Sequence, residues 1–505
     1  PVRAEGFRPR GALPRQRKMA DVFDTEDEVL LGLDSLVSWP LARGAGVKLV
    51  SYRVRPGTRK IVLAPGSGDD PDAAGCVYYG TVLKVGGRLY MYYIGLARGE
   101  VNWHGRVCYA TSLNGTDWEK PSLGLVNFRG SSQNNIVMTD SRPVFAVAAL
   151  DDGGEGSKRF KAIIKVKDDS GQLVNLATYS HDGVNWREPW DTGLQTDFSG
   201  LLRREGCYYL TGHLGASFGS RKLHIFQSYD FETWAAASVM GFCRTAPGSY
   251  DAERGNAGEQ VHQGAALWDR GAVVLGVYGQ WHGSESNDRR LVSIDLGLLL
   301  SRDCLHFCEP VQDFRFVPAA EDDFLPPPAS IHTRVPALMQ GQGFANVGDK
   351  TLFWYAPWPE GASDGVRVAT WERDRLGYCA AFAGMTDTPH MISAPISVTP
   401  GIESVFINAM CGPHSHLCLE VLTEQFRPLE YYSGVDASVI QGGGLCLPVL
   451  WPQPVAQLTI ALSRLGASRF RFKLTFAGVR KEDARFFALY LKRERQGSWR
   501  PASAE

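Results

Sequence analysis

No apolar run in the chain reaches the roughly 18–20 residues that a bilayer-spanning helix needs, so no membrane partner is expected. Charge of one sign is also missing: 53 Lys and Arg face 54 Asp and Glu, for a net charge of −1. Without a global field, neither nucleic acid nor an anionic membrane surface is indicated as a partner. The ten cysteines are scattered and form no CxxC pair. Cys304 and Cys308 sit four apart with no second pair of ligands beside them, so no structural zinc site is expected and buried free thiols are. Histidines gathered near one axis are the alternative metal ligands, but no fixed ligand spacing supports them, and no metal is expected. There is no P-loop, no GxGxxG in a βαβ setting and no Ser-His-Asp arrangement. The closely spaced glycines of GQGFANVG (341–348) run into a strand, so phosphate binding at a helix start does not apply. The expected cofactor count is therefore none. Residues 1–18 are basic and Pro-rich and lack the apolar core of a secretory signal. Residues 1–20 read as a disordered tail. A cytoplasmic location is favoured, while a removed leader stays open because the chain starts at Pro1.

What is present is a large, turn-rich chain. Its 505 residues allow about two to four domains. The 44% apolar and 21% charged content is that of a globular protein. The 13 Trp and 18 Tyr fit either sugar-binding platforms or the packing of a β-rich core.

One pattern recurs along the chain. A strand and tight turn lead to a more apolar strand, then to a third strand that ends in a Ser/Asp/Gly/Trp turn. The apolar strands are RLYMYYIG (88–95), RFKAIIKV (159–166), CYYLTGHLG (207–215), AVVLGVYGQW (272–281) and TLFWYAPW (351–358). Four turns align on Ser112, Ser180, Ser228 and Ser301, with spacings of 68, 48 and 73 residues. VRVATWERDRLG (366–377) is a looser fifth copy. Asn114-Gly115 and Asp182-Gly183 tolerate positive φ in such turns. Trp118, Trp186 and Trp234, with Phe307, are expected to pack between neighbouring units. Helical periodicity is almost absent. Five sheet-like units predict an all-β protein, a five-bladed β-propeller over 21–385, followed by a β-sandwich over 386–505. The segment 21–36, DVFDTEDEVLLGLDSL, is a candidate ring-closing strand. The alternation in RFRFKLTFAG (469–478) suits a half-exposed sheet.

YATSLNGTDWEKPSLGLVNF (109–128), NNIV (134–137), RFKAII (159–164), SHDGVNW (180–186), IDLGLLLSRD (294–303) and GQGFANVGDKTLFWY (341–355) carry a resemblance. Over most of 75–385 the chain resembles bacterial invertase-type, glycoside hydrolase family 32-like proteins. The resemblance implies a propeller with a funnel on its axis. It also implies acidic residues at the starts of the innermost strands that cleave a glycosidic bond, often of a furanoside. The partner would be a carbohydrate.

Glycoside hydrolysis needs an acid for the leaving oxygen and a second carboxylate as nucleophile or base. Of the predicted innermost strands, those starting near 196 and 258 carry Asp197 and Glu259 on the rim. Glu259 is the expected acid and Asp197 its partner, with Asp140 a third candidate; each could equally be a solvated turn acid. Asp151 and Asp152 read as hairpin residues. Invertase-type enzymes carry an Asp nucleophile in an N-D-P-N stretch on the first inner strand, and alignment on the Gly87 turn puts Tyr78 there instead. Either Asp70 or Asp72 of DDPDAAGC (69–76) reaches back, or the nucleophile is absent and activated water makes the enzyme inverting. Arg142, His262, Gln263, Gln340 and Gln342 are candidate donors to sugar hydroxyls, beside Tyr78. Trp103-His104 and Trp281-His282 are candidates in loops on the same face, with His213 placed similarly; loop packing is the plain alternative. Three readings follow: a hydrolase, a carbohydrate-binding propeller that has lost its nucleophile, and an interaction scaffold. The polar rim disfavours the last.

Overall fold

The computed structural model describes residues 28–41, 46–54, 60–100, 105–138, 142–154, 156–214, 221–235, 238–244, 260–283, 292–321, 336–358, 365–384 and 387–494. Glu259, Asp140, Trp103, His104 and the basic tail lie outside these residues. The protein is all-β, and the described residues hold one α-helix, Leu458–Arg464. No described helix is long and apolar enough to cross a membrane.

Five antiparallel sheets follow one another, each in chain order from its first strand outward. The first holds Gly75–Val85, Arg88–Leu96 and Arg106–Ser112. The second holds Val144–Asp151, Phe160–Lys167, Leu173–Ser180 and Trp190–Asp191, and the third Asp197–Arg204, Cys207–His213, Leu223–Ser228 and Val239–Phe242. The fourth runs through Gln260–Asp269, Val274–Gly283, Val292–Ser301 and Phe307–Cys308. The fifth holds Leu338–Val347, Lys350–Pro357 and Val366–Glu372, and takes Lys60–Leu63 as its outer strand. The first strands touch in a closed cycle, sheet by sheet, and the fifth meets the first through a parallel bridge, Gln342↔Thr81. The apolar second strands are buried almost throughout because sheets cover both faces.

All five first strands carry a register shift: at Val77/Thr81, Val144/Ala146, Phe198/Gly200, His262/Ala265 and Gln340/Phe344. A bulge bends its strand and re-aims the side chains beyond it. The backbones approach so closely there that a Cβ on Gly200 would lie 2.0 Å from the Ala265 carbonyl oxygen.

The recurring turn is built by its own side chains. Ser112, Ser180, Ser228 and Ser301 each accept, at Oγ, the backbone N–H three residues on. Asn114, Asp182, Asp230 and Asp303 each accept two further N–H groups. This ST/Asx geometry needs a left-handed residue, supplied by Gly115 and Gly183 at φ 77° and 80°, and by Phe231 and Cys304 at 69° and 62°. The aromatics after the turns join neighbouring sheets as expected. Trp118 packs edge-on against Trp354, Trp186 against Tyr92, and Trp234 shares a core with Ile163 and Ala177. Phe307 packs beside Leu223 and Ile225 of the third sheet.

The described part of the segment 21–36 pairs away from the five sheets. Its strand Glu28–Leu31 pairs with Arg485–Arg493, 450 residues and more away, and Lys60–Leu63 borders the fifth sheet instead. Val47–Ser51 pairs with Gly377–Ala381 in the same C-terminal sheet. That sheet and a second one, built on Ile396–Ser397, His390–Ile392, Arg469–Ala477, His416–Thr423 and Ser438–Ile440, enclose a single apolar core that includes Trp39, Tyr432, Trp451 and Phe472. The ten cysteines are free; five are buried as expected, and Cys243, Cys308, Cys411, Cys418 and Cys446 are partly exposed.

Candidate active site

Asp197 opens the first strand of the third sheet and is paired in register with His213. Its carboxylate is about one-third exposed, at 36%, while the two groups behind it are buried. Lys165, from the second strand of the second sheet, meets Oδ1 through its ammonium group. His213 Nε2 lies 3.3 Å from Oδ2. Lys165 also donates to the Thr196 carbonyl at 3.3 Å. Burial pushes Lys165 down to about 8. Burial, with Arg221 next in order, pushes His213 down to about 3, so its imidazole is neutral. His213 Nδ1 lies 2.9 Å from the Gln263 carbonyl oxygen, which can only accept. Both ring nitrogens thus face acceptors, the Gln263 carbonyl at Nδ1 and the Asp197 carboxylate at Nε2, and the neutral ring has a single hydrogen for the two. Gln263 itself sits in the bulge at φ 63°.

A second group of side chains stands beside this pair. His262 Nε2 is 3.1 Å from the Tyr79 hydroxyl. The His262 ring lies 5.0 Å from Trp358, 5.5 Å from Trp281 and 6.4 Å from His213, centre to centre. Arg221 lies over the Trp281 ring at 4.3 Å. Gln260, the first residue of its strand, accepts the Arg221 N–H at 3.0 Å, and its buried Nε2 has no hydrogen-bond partner. The third, fourth, first and fifth sheets therefore each contribute to one polar and aromatic cluster at the starts of the first strands.

Several expected ligand-binding residues hold the ring together instead. Gln342 uses its amide on both backbone groups of Leu201, across the ring. Gln340 gives both amide hydrogens to the carbonyls of His262 and Gly264, at 2.9 and 3.0 Å. Tyr78 is wholly buried and donates to the Gln342 carbonyl at 3.2 Å. Trp281 is also fully buried, beneath Arg221 and His262. His282 is half-buried and its Nε2 lies 3.2 Å from Asp295, which also accepts the Ala319 N–H at 2.6 Å. Arg142 is half-buried just ahead of the Val144–Asp151 strand.

Neither Asp70 nor Asp72 reaches back to stand in for Tyr78. Asp72 is 1% exposed and accepts from the Tyr93 hydroxyl at 2.6 Å and the Lys120 ammonium at 2.5 Å. Asp70 accepts the Ser67 N–H at 2.8 Å in an exposed turn. Asp151 and Asp152 do belong to a hairpin, paired with Arg159 at 2.8 Å and Lys161 at 2.6 Å.

Sequence reasoning missed Lys165, Tyr79, Arg221 and Trp358. Lys165 carried a signal: it is a lysine inside the apolar run AIIKV, and a buried lysine requires a partner.

No family model matches the chain, and no curated protein matches it. Among solved structures, it is similar to a glycosyl hydrolase from Bacteroides ovatus, with 13% identity over 65% of this chain and 95% of that one and a TM-score of 0.42. A structure from the GH130 family of mannoside phosphorylases, which contains glycoside hydrolases that target beta-1,2 mannosidic linkages, gives 12%, 65%, 95% and 0.44. The exo-beta-1,3-galactanase from Phanerochaete chrysosporium gives 7% identity over 86% of this chain and 100% of that one, with a TM-score of 0.37. At these identities and TM-scores the likeness carries nothing about substrate or mechanism.

Proposed function

We propose that the five sheets are the blades of a five-bladed β-propeller joined to a C-terminal β-sandwich, and that the protein is a glycoside hydrolase acting at one end of the propeller axis. In this reading Asp197 is the nucleophile or the base that activates water. Glu259, which directly precedes Gln260, is the acid that protonates the leaving oxygen. Tyr79 and His262 offer a donor and an acceptor to sugar hydroxyls, and Trp358 offers an apolar face.

The observation that carries the reading is the state of Asp197. A partly exposed carboxylate is backed by a lysine and an imidazole that are both buried. Burying two ionisable groups behind one acid costs free energy, and a surface that only binds neutral sugars gains nothing from it. One observation favours a non-catalytic carbohydrate-binding protein instead. Tyr78 stands where the invertase-type pattern has its nucleophile, and Asp72 is fully engaged elsewhere.

Hydrolysis of a panel of aryl furanosides and pyranosides decides between them. The wild type is expected to turn over at least one member, and Glu259→Gln and Asp197→Asn are each expected to lose about 10²–10⁴-fold in kcat. Full activity in both variants overturns the catalytic assignment. Sugar binding without turnover in the wild type supports the binding protein.

A further inference from the structure

We propose that Lys165 is a positioning residue whose ammonium group holds Asp197 in its working orientation and whose deprotonation switches the site off. The proposal deepens the hydrolase reading and rests on it for its kinetic consequence, while the ion pair itself can be tested without turnover.

The geometry gives Lys165 no other use. Its strand neighbours in register are Ala146 and Asn175, both neutral. Asn175 turns its own amide to the carbonyls of Leu194 and Thr196. Lys165 donates to that Thr196 carbonyl and to Asp197. The charged and titratable groups that face this pair are few. His213 faces Asp197 on the other side, and Arg221 and His224 act on His213. The neutral His213 ring brings no charge and has one hydrogen for two acceptors, Asp197 and the Gln263 carbonyl. Among the described residues, the Lys165 ammonium is the one cationic donor to this carboxylate, at 10% side-chain exposure.

A buried ammonium is also fragile. Burial alone lowers Lys165 to about 8, and the touching Asp197 carboxylate opposes that shift, so the anchor is lost where the pair titrates. Above that point a neutral amine faces Asp197, and the carboxylate loses the charge that fixes its rotamer. An arginine at the same place stays protonated at every accessible pH.

Two measurements test this. In protein carrying ¹³Cε-lysine, the Lys165 resonance, identified by its loss in Lys165→Met, is expected to titrate below the ordinary lysine range and no lower than about pH 8. Asp197→Asn is expected to move that midpoint to lower pH, because the anion that favours the ammonium is gone. An unmoved midpoint overturns the proposal whether or not the protein cleaves any glycoside. The second is the pH profile of kcat. The wild type is expected to lose activity above the Lys165 midpoint, Lys165→Met to lose about 10²-fold or more at pH 7, and Lys165→Arg to recover activity within about 10-fold of wild type and to keep it above that midpoint. A basic limb that persists unchanged in Lys165→Arg overturns the proposal. If no glycoside is turned over by the wild type, the hydrolase reading falls and the resonance titration still decides whether Lys165 holds Asp197.

Discussion

His213 is a base that the fold keeps from taking a proton. In an unfolded chain an imidazole is protonated below about pH 6.5, whereas in the folded protein burial holds His213 neutral down to about 3. Between those values the unfolded state binds the extra proton, so falling pH favours unfolding. The slope is up to about 1.4 kcal/mol per pH unit from this one residue. His213→Gln can keep a donor for the Gln263 carbonyl and has nothing to titrate. Urea denaturation at steps from pH 6.5 to 4 is expected to give a shallower loss of stability in His213→Gln than in wild type. Equal slopes rule out a protected neutral imidazole. The same residue shows where sequence reading stops. His213 was visible near the end of a predicted strand, but its meaning depends on a bulge fifty residues later that turns the Gln263 carbonyl toward it. Lys165 is the opposite case: a lysine inside the apolar run AIIKV announces that it needs a partner, but Asp197 is supplied by a strand about thirty residues on.

At the level of strands and turns, much of the architecture was legible because its causes are local. The Ser-Asx turn is made by side chains bonding to N–H groups two and three residues ahead, so its recurrence in sequence is its recurrence in space. The first strands were less legible. Strict alternation fails at each bulge, and one shifted residue exchanges a site residue for a core one. Alignment on the Gly87 turn takes no account of the bulge after Val77, so it sets Tyr78 on the rim, whereas Tyr79 is the residue that meets His262; Gln340 and Gln342 lie beside such a bulge too. Gln342 has a measurable duty. Its amide satisfies both the N–H and the C=O of Leu201 on the far side of the ring. Gln342→Met fills similar space but leaves two buried backbone groups unpaired, at a cost of about 2–4 kcal/mol. Denaturation midpoints measure the loss. A residue that served only substrate would leave them unchanged.

Across the whole molecule, one buried acid ties the fourth and fifth sheets to the C-terminal sheet. Asp374 lies in the fifth, irregular copy of the turn and is 1% exposed. Its carboxylate accepts from Arg270 of the fourth sheet and from Asn346 of the fifth, each at 3.0 Å. It also accepts, at 3.0 Å, from Tyr490 of the C-terminal sheet that takes in the N-terminal strands. Asn408 of that sheet adds a bond to the Arg373 carbonyl at 2.8 Å. The fifth turn thus departs from the Ser-Asx pattern because its acid serves a junction and no longer its own loop. No local pattern could announce this, nor that 28–31 pairs beyond residue 485, since both are long-range pairings. Removing one partner from such a buried charge cluster leaves Arg270 uncompensated, and Asp374→Asn is expected to cost about 3–5 kcal/mol. Tyr490→Phe removes one neutral donor to the acid and is expected to cost about 1.5–3 kcal/mol. Because strands from both ends of the chain are shared with the C-terminal sheet, wild type is expected to unfold in one transition. Tryptophan fluorescence and far-ultraviolet dichroism should coincide. An Asp374→Asn protein as stable as wild type would mean that the ring and the C-terminal sheets are held by their shared strands and apolar contacts alone.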